Sequence, residues 1–466
     1  MTSLSAITRF APAPLIGLLL YWRVPRLWFQ NDDFAWLSLE RVVRENGLAH
    51  ALFTPFAQGT VRVLGDRLFF LAFSGWFGLH ALPYRLFELA TWVVALTLVL
   101  LIGERLIGSR AAALAAAVLW AANANAVEAV AWASAYDQLL CAVCVLAAFY
   151  SRLRGWRFAE WIFYLAGFGA LEIIVVYPLL VVLYEVCSLK VAGRRPAPQP
   201  SDLWLFAPAV VFTAVHFLWI PKQAGGVYAL SLDSRLPATF ANYLGWIFEP
   251  GSAALRSHAE KLRTPEMILG ALLGVALGWF AIRRLLDNEQ RREWMAAFFC
   301  GWFVALLAPV LLLPNHPTPY YLTLPSIGLA WLGGWAIARG WGAGGFARMA
   351  AVGLAAAYFV GNAAGIEAQT RWFESRSQRL RKVVEGVAAA SASHPGDAIA
   401  LEGVDEELYQ TGFDSHPFLL VGAEKVWRVP GDLSFEDLRA AVAKGHTRVL
   451  EITADGATRD ITDGGN

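Results

Sequence analysis

Charge is what this chain has least of. Of its 466 residues only 16% are Asp, Glu, Lys or Arg, and the two signs nearly cancel at a net +1. Without a basic excess there is no footprint for nucleic acid. Cysteine is equally scarce: Cys141, Cys144, Cys187 and Cys300 are all there are, each inside an apolar run. Neither a disulfide framework nor a zinc site is implied, and the Cys141-x-x-Cys144 spacing simply puts two small apolar side chains on one helix face. No repeat of tetratricopeptide length is visible. No small-residue cleavage site follows the apolar run Leu15 to Leu20, so that run reads as a first membrane span and not as a signal peptide.

Apolar side chains fill the space that charge leaves. Hydrophobic residues make up 57% of the chain, with 20 Trp and 29 Phe, and the mean hydropathy is +0.47, outside the range of soluble proteins. Segments near the length a bilayer core requires fall close to residues 7–22, 84–103, 111–127, 132–150, 158–171, 173–189, 203–220, 266–283, 294–313, 320–338 and 346–365, about eleven spans at about 20 residues each. The run Leu68 to Leu82 is short and aromatic, and reads as interfacial or re-entrant.

Basic residues set an orientation. With the N-terminus inside, the inner loops hold Arg9, then Arg105 and Arg110, Arg152, Arg154 and Arg157, Lys190, Arg194 and Arg195, Arg283, Arg284, Arg291 and Arg292, and Arg339 and Arg348, as the positive-inside rule asks. The first outer loop, 23–83, breaks that pattern with Arg23, Arg26, Arg41, Arg44, Arg62 and Arg67. The expected fold class is an all-α polytopic membrane protein over residues 1–366, followed by a small C-terminal α/β domain over 367–466 on the periplasmic side of a bacterial inner membrane. A proline-rich linker, Gly193 to Pro200, separates two blocks of spans.

After Glu367 the hydropathy drops. A polar helix from Thr370 to Glu385 precedes β-like runs at Ala398 to Leu401, Phe418 to Val421, Lys425 to Val429 and Arg448 to Thr453. Ser434 is placed to cap a helix with Asp437 in its first turn and Gly445 at its end. This appendage has no nucleophile motif, no Gly-rich phosphate loop and no metal-ligand spacing, so it reads as a docking element for protein partners.

Carboxylates gather on the expected outer side. Asp32 and Asp33 sit between aromatics in Trp28-Phe29-Gln30-Asn31-Asp32-Asp33-Phe34-Ala35-Trp36. A carboxylate pair there is costly unless it has a use. One use is a base with a raised pKa at the mouth of a membrane-embedded site; the other is a helix N-cap. Glu128 and Asp137 lie in a polar interruption between two spans, Glu172 follows another span, and His316, Tyr320 and Tyr321 lie in the proline-punctuated turn Pro314 to Pro325.

In chain order, the motifs are Asp32-Asp33, Val61-Arg62-Val63-Leu64, Gly78-Leu79-His80-Ala81-Leu82-Pro83-Tyr84, Glu128-Ala129-Val130-Ala131-Trp132, Glu172 with Pro178 and Leu183-Tyr184-Glu185, and Tyr321-Leu322-Thr323-Leu324-Pro325-Ser326-Ile327-Gly328. Gln369-Thr370-Arg371-Trp372 closes the series. The series resembles the GT-C glycosyltransferases, most closely the transmembrane O-mannosyltransferases with tetratricopeptide repeats and their bacterial relatives, over roughly residues 15 to 380. The resemblance implies inverting transfer of a sugar from a polyprenyl-phosphate donor to an acceptor on the outer face, with Asp32 and Asp33 as the catalytic residues: Asp32 as the preferred base, and Asp33 as its neighbour or an acceptor-orienting group. Arg62, Arg67, Glu128, Asp137, Glu172, His316, Tyr320 and Tyr321 are the expected substrate-binding residues. Whether a divalent metal helps hold the donor phosphate is left open. Arginine forks suit a phosphate. Departures are equally visible: Asn123-Ala124-Asn125-Ala126 replaces His-Pro-x-His, Tyr136 an Arg, Leu171 a Lys and Tyr320 an Arg. Substitute cations are available in Arg62, Arg85 or Lys222; failing them, the chain is a catalytically degenerate scaffold in a larger membrane assembly. A transporter fits less well, because the polar residues cluster on one side and not at the midplane between inverted repeats.

Overall fold

A computed structural model of the chain describes residues 11–55, 60–191, 200–219, 226–249, 264–286 and 294–462. Arg9, Arg194, Arg195, Lys222, Arg291, Arg292 and nearly all of the Gly193 to Pro200 linker lie outside them. Among the described residues, six helices are long and apolar enough to cross a membrane, or up to seven if Arg110–Ala121 and Ala124–Ala131, bent by 55°, form one span. Other expected spans hold shorter helices, such as Pro12–Leu20, Arg157–Gly167 and Phe206–Leu218. The Leu68 to Leu82 run contains a nine-residue helix, Phe69–Phe77.

Local sequence explains the turns. Ala81–Ile107 ends at Gly108, whose φ of 69° suits a residue without Cβ, and Ser109 then caps Arg110–Ala121 through Ala112 N. That helix packs closely on Ser326–Ala343. A Cβ on Gly334 would lie 2.3 Å from Ala112 O and 2.6 Å from Ala116 N, the close backbone approach that small residues permit in membranes. Buried tryptophans on these two helices and on Trp294–Leu307 satisfy their indole N–H groups on backbone carbonyls: Trp120 on Thr323 at 2.9 Å, Trp302 on Leu324 at 3.0 Å and Trp331 on Val99 at 3.0 Å. Gly334→Val is therefore expected to lower stability by about 1–3 kcal/mol through overpacking. Thermal unfolding in detergent checks this, and an unchanged midpoint would contradict the close approach.

The last membrane helix does not stop at the membrane. Gly345–Ser393 runs for 49 residues, about 73 Å at 1.5 Å per residue, so the change in hydropathy near residue 366 falls inside one continuous helix. Its polar half buries Phe373, Leu380, Val383, Val384 and Val387. The appendage beside it is a four-stranded sheet in the order β2-β1-β3-β4, with β1 Ala398–Glu402, β2 Val426–Val429, β3 Thr447–Ile452 and β4 Thr458–Asp460. β1 is parallel to both neighbours, and β4 is antiparallel to β3. Ser434 caps Phe435–Ala443 through Asp437 N at 3.1 Å. Phe418 to Val421, expected as a strand, is instead a 3-10 turn, Pro417–Val421: Pro417 opens it, and Phe418 folds back on Phe413 with ring centroids 5.0 Å apart.

The first loop and the appendage are bound together. Arg23 pairs with Glu367 and Glu374 at 2.7 Å each, Trp28 N donates to Ser377 Oγ, Asn31 N donates to Thr411 O at 2.5 Å, and Arg376 Nη2 donates to Asn31 Oδ1 at 2.7 Å. The other arginines of the first loop have partners as well. Arg26 lies 4.0 Å from Glu374, Arg41 and Arg44 pair with Glu45 and Glu40 on their own helix, Arg62 pairs with Asp137 and Glu172, and Arg67 donates to the carbonyls of Ala51 and Thr60. Arg62 and Arg67 are thus engaged within the protein, whereas Arg26, Arg41 and Arg44 stay exposed.

Candidate active site around Asp32

The two adjacent aspartates have opposite environments. Asp33 opens a short helix, Asp33–Leu37, and is fully buried. Its Oδ1 accepts from Ser134 N at 2.8 Å and Ser134 Oγ at 2.6 Å, its Oδ2 accepts from Gln30 N at 3.0 Å, and Arg85 Nη2 stands 3.8 Å away. Burial pushes its carboxyl up to about 6, against the lowering effects of Arg85 and Ser134. Asp33 thus ties the first loop to the Ala133–Ala135 turn. Asp32 stands at the N-cap position but makes no side-chain cap, and it is exposed. Surrounding protein and the charge of Asp414 raise its pKa. A carboxylate left open, accepting no cap and shifted upward is the kind of group that takes a proton.

Arg62 organises the acidic residues next to it. It precedes one turn of π-helix, Val63–Leu68, a distortion that aims side chains away from regular helical positions. Its Nε donates to both Glu172 oxygens at 3.1 Å, its Nη2 lies 3.0 Å from Glu172 Oε2, and its Nη1 donates to Asp137 Oδ2 at 2.5 Å. Gly65 makes this approach feasible: a Cβ there would lie 2.9 Å from Asp137 Cβ. Asp66 is buried beside the group, and burial together with the Asp137 charge raises its pKa.

Aromatic residues close the other side. The rings of Tyr228 and His316 lie 4.2 Å apart, Tyr320 and Tyr321 are 4.8 Å apart, and His316 Nε2 lies 3.3 Å from Tyr320 Oη. Burial lowers the His316 pKa. Tyr228 joins the two halves. Burial raises its phenol pKa, and the charges of Asp32, Arg62 and Asp137 act on it as well. Tyr320 lies within electrostatic reach of Tyr321 and Glu128, and Tyr321 within reach of Arg62.

The structure therefore brings Asp32, Arg62, Glu128, Asp137, Glu172, His316, Tyr320 and Tyr321 into one neighbourhood. Asp33 and Arg67 face into protein, and Arg67 is fully buried. Arg85, also fully buried, spans Glu88 at 3.0 Å and Trp28 O at 2.9 Å. Asn123 and Asn125, in the stretch that departs from His-Pro-x-His, bond to one another: Asn123 Oδ1 accepts from Asn125 N at 3.1 Å and from Asn125 Nδ2 at 2.9 Å. Sequence reasoning missed Tyr228, Ser134 and Arg376. Ser134 lies between the Glu128 motif and Asp137 in a run of alanines, and Tyr228 belongs to no motif. Among the described residues, no group of three or more His, Cys, Asp or Glu is arranged to hold a metal ion.

Neither a protein-family model nor a curated protein matches the sequence. Solved structures do. The oligosaccharyltransferase of Archaeoglobus fulgidus, without ligand, is 13% identical at a TM-score of 0.51, covering 95% of this chain and 69% of that one. The same archaeal enzyme, AglB, in complex with an inhibitory peptide and a dolichol-phosphate, is 13% identical at a TM-score of 0.50, covering 96% and 69%. ArnT from Cupriavidus metallidurans bound to undecaprenyl phosphate is 15% identical over 97% and 93%, at a TM-score of 0.37 too low to bear on the fold. By its architecture, this chain shares the fold of the archaeal oligosaccharyltransferase.

Proposed function

We propose that this protein is a membrane glycosyltransferase that moves a sugar from a polyprenyl-phosphate donor to an acceptor hydroxyl, with Asp32 as general base. The observation that carries this reading is the division of labour in the aspartate pair. One carboxylate is locked into the fold, and its neighbour is left open, uncapped and raised in pKa beside an arginine–tyrosine cluster. The shared fold supports it, and a structural neighbour was solved with a dolichol-phosphate.

In this mechanism the acceptor hydroxyl gives its proton to Asp32 as its oxygen forms a bond to the anomeric carbon. The bond from that carbon to the phosphate oxygen breaks, and the electron pair leaves with the phosphate. Attack from the opposite face inverts the sugar. Arg62, Tyr228, His316, Tyr320 and Tyr321 surround the space for the leaving phosphate and the sugar, while Asp137 and Glu172 fix the Arg62 fork. Glu128 borders the same space. On this reading the chain crosses a bacterial inner membrane about eleven times, with its N-terminus cytoplasmic and its appendage and active site periplasmic.

One observation favours a second reading, a degenerate scaffold. Arg62 and Arg85 are both already held by carboxylates within the protein. A phosphate must then compete with Asp137 and Glu172 for Arg62, and losing a cation at a developing charge costs several kcal/mol. Turnover of radiolabelled polyprenyl-phosphate sugars by the purified chain in lipid nanodiscs decides between them. Release of polyprenyl phosphate above a no-protein control supports the enzyme; none with any donor, together with stoichiometric co-purification of other membrane subunits docked on the appendage, supports the scaffold.

A further inference from the structure

The Gln369 to Trp372 motif, which the transfer reaction leaves unused, lies where the appendage meets the first loop. Arg376 follows Trp372 by one turn of the helix Gly345–Ser393, and its guanidinium stands over the Trp372 ring, 4.3 Å from the centroid. The Trp372 indole Nε1 donates in turn to Glu407 Oε1 at 3.1 Å, on the appendage helix Glu406–Gly412. Arg376 is thus braced by two elements and is only 8% exposed. From that position its Nη2 donates to Asn31 Oδ1 at 2.7 Å and to Gln410 O at 3.3 Å. The cation is bonded to the residue directly before Asp32.

Asn31 is where the loop needs a hold. Its φ of 49° is left-handed, a conformation that persists at a residue with a Cβ only where the surroundings impose it. Arg376 holds the side chain, Thr411 O accepts the Asn31 N–H at 2.5 Å, and the Asn31 carbonyl accepts from Phe34 N at 3.3 Å. Two of these three bonds come from beyond residue 370. Gly412 brings the appendage close enough for them, since a Cβ there would lie 2.5 Å from Phe34 Cε2. On the other side of Asp32, its carbonyl accepts from Ala35 N at 3.0 Å and Trp36 N at 3.2 Å. With the backbone fixed before and after it, the Asp32 side chain is aimed outward while Asp33 turns in to Ser134. A shift of about 1 Å in a reacting group can cost about 100-fold in rate.

We propose that Arg376 is a positioning residue that holds Asp32 in its open orientation through Asn31, which makes the appendage a working part of the transfer site. The inference rests on the reading of Asp32 as general base. Arg376 itself touches no substrate; it acts on the turn that aims the base.

Turnover of the full-length chain in lipid nanodiscs and hydrogen–deuterium exchange of the same preparations test it together. Arg376→Met should lower kcat by about 10- to 100-fold, the weight of one charge-assisted hydrogen bond, and leave KM for donor and acceptor within about twofold of wild type. Asn31→Gly keeps the left-handed backbone accessible and removes the Oδ1 acceptor, so it should lose a similar factor. Because both changes break one bond, the double variant should be no slower than the slower single variant. Exchange across Phe29 to Trp36 should speed up by about the same 10- to 100-fold in Arg376→Met and stay unchanged in Arg110–Ala121. Where Arg376→Met does not fold, Asn31→Gly carries both measurements. Wild-type exchange across Phe29 to Trp36, losses that multiply in the double variant, or a loss confined to KM would overturn the inference. A slow Asp32→Asn beside an Arg376→Met at the wild-type rate overturns it alone and leaves the base reading standing. Wild-type turnover by Asp32→Asn, or no turnover by the wild type, overturns the base reading and this inference with it.

Discussion

Asp32→Asn is expected to slow sugar transfer by about 10²–10⁴-fold, the usual contribution of a positioned base, and to leave the unfolding midpoint where it is in the wild type. Stability should not move, because Asp32 is exposed and caps nothing. Kinetically, kcat should fall more than KM rises, since the lost proton acceptor acts in the transition state. The pH profile gives a second check. A base must be ionised to work, and the surrounding protein, with the charge of Asp414, raises the Asp32 pKa. Activity should therefore decline on the acid side around a midpoint above the ordinary aspartate value. Asp414→Asn removes the repelling charge, so it should move that midpoint downward without abolishing turnover. Full activity in Asp32→Asn would sink the base assignment, and a midpoint indifferent to Asp414 would sink its electrostatic part.

That contrast between adjacent aspartates was only half legible in the sequence. The pair stood out because two carboxylates among aromatics are rare, yet nothing local says which one faces inward. Ser134 decides it from 101 positions away, with both of its donors on Asp33. Glu128, Asp137 and Glu172 were readable as breaks in apolar runs, because a charge at membrane depth has few innocent placements. Arg62 was readable as a cation, but its preoccupation with Asp137 and Glu172 was not. Pairing of residues 75 and 110 positions apart is a property of helix packing. The docking of the appendage was hidden for a similar reason. Hydropathy changes near residue 366 while helix propensity does not, so a single helix carries Glu367, Glu374 and Arg376 to Arg23 and Asn31. Asn31 itself has a φ of 49°, a left-handed conformation that asparagine tolerates better than most residues. No periodicity or motif predicts where such a turn is needed.

Arg85→Met is expected to destabilise the protein by about 3–5 kcal/mol, the cost of removing one partner from a buried ion pair. Arg85 is fully buried and is the cation between two carboxylates, Glu88 at 3.0 Å and Asp33 at 3.8 Å; it also donates to Trp28 O at 2.9 Å. Methionine matches the length of the side chain and its apolar stem, so the loss is mainly electrostatic. Its pH dependence has a definite sign. Asp33 has a folded pKa of about 6, above its unfolded value, so its protonation favours the folded state at low pH and that contribution fades as pH rises through about 6. Without Arg85 the folded pKa rises further, and the variant carries an unpaired buried charge only at higher pH. The deficit should therefore be smaller at pH 5 than at pH 8. Replacing both partners, in Arg85→Met with Glu88→Leu, should recover part of the loss, since an apolar pair leaves fewer charges stranded. Unfolding midpoints at pH 5 and pH 8, followed by tryptophan fluorescence in detergent, measure all three variants. If Arg85→Met melts with the wild type at both values, Asp33 is held by Ser134 and Gln30 alone, and the first loop does not depend on this cation to hold Asp32 in the open.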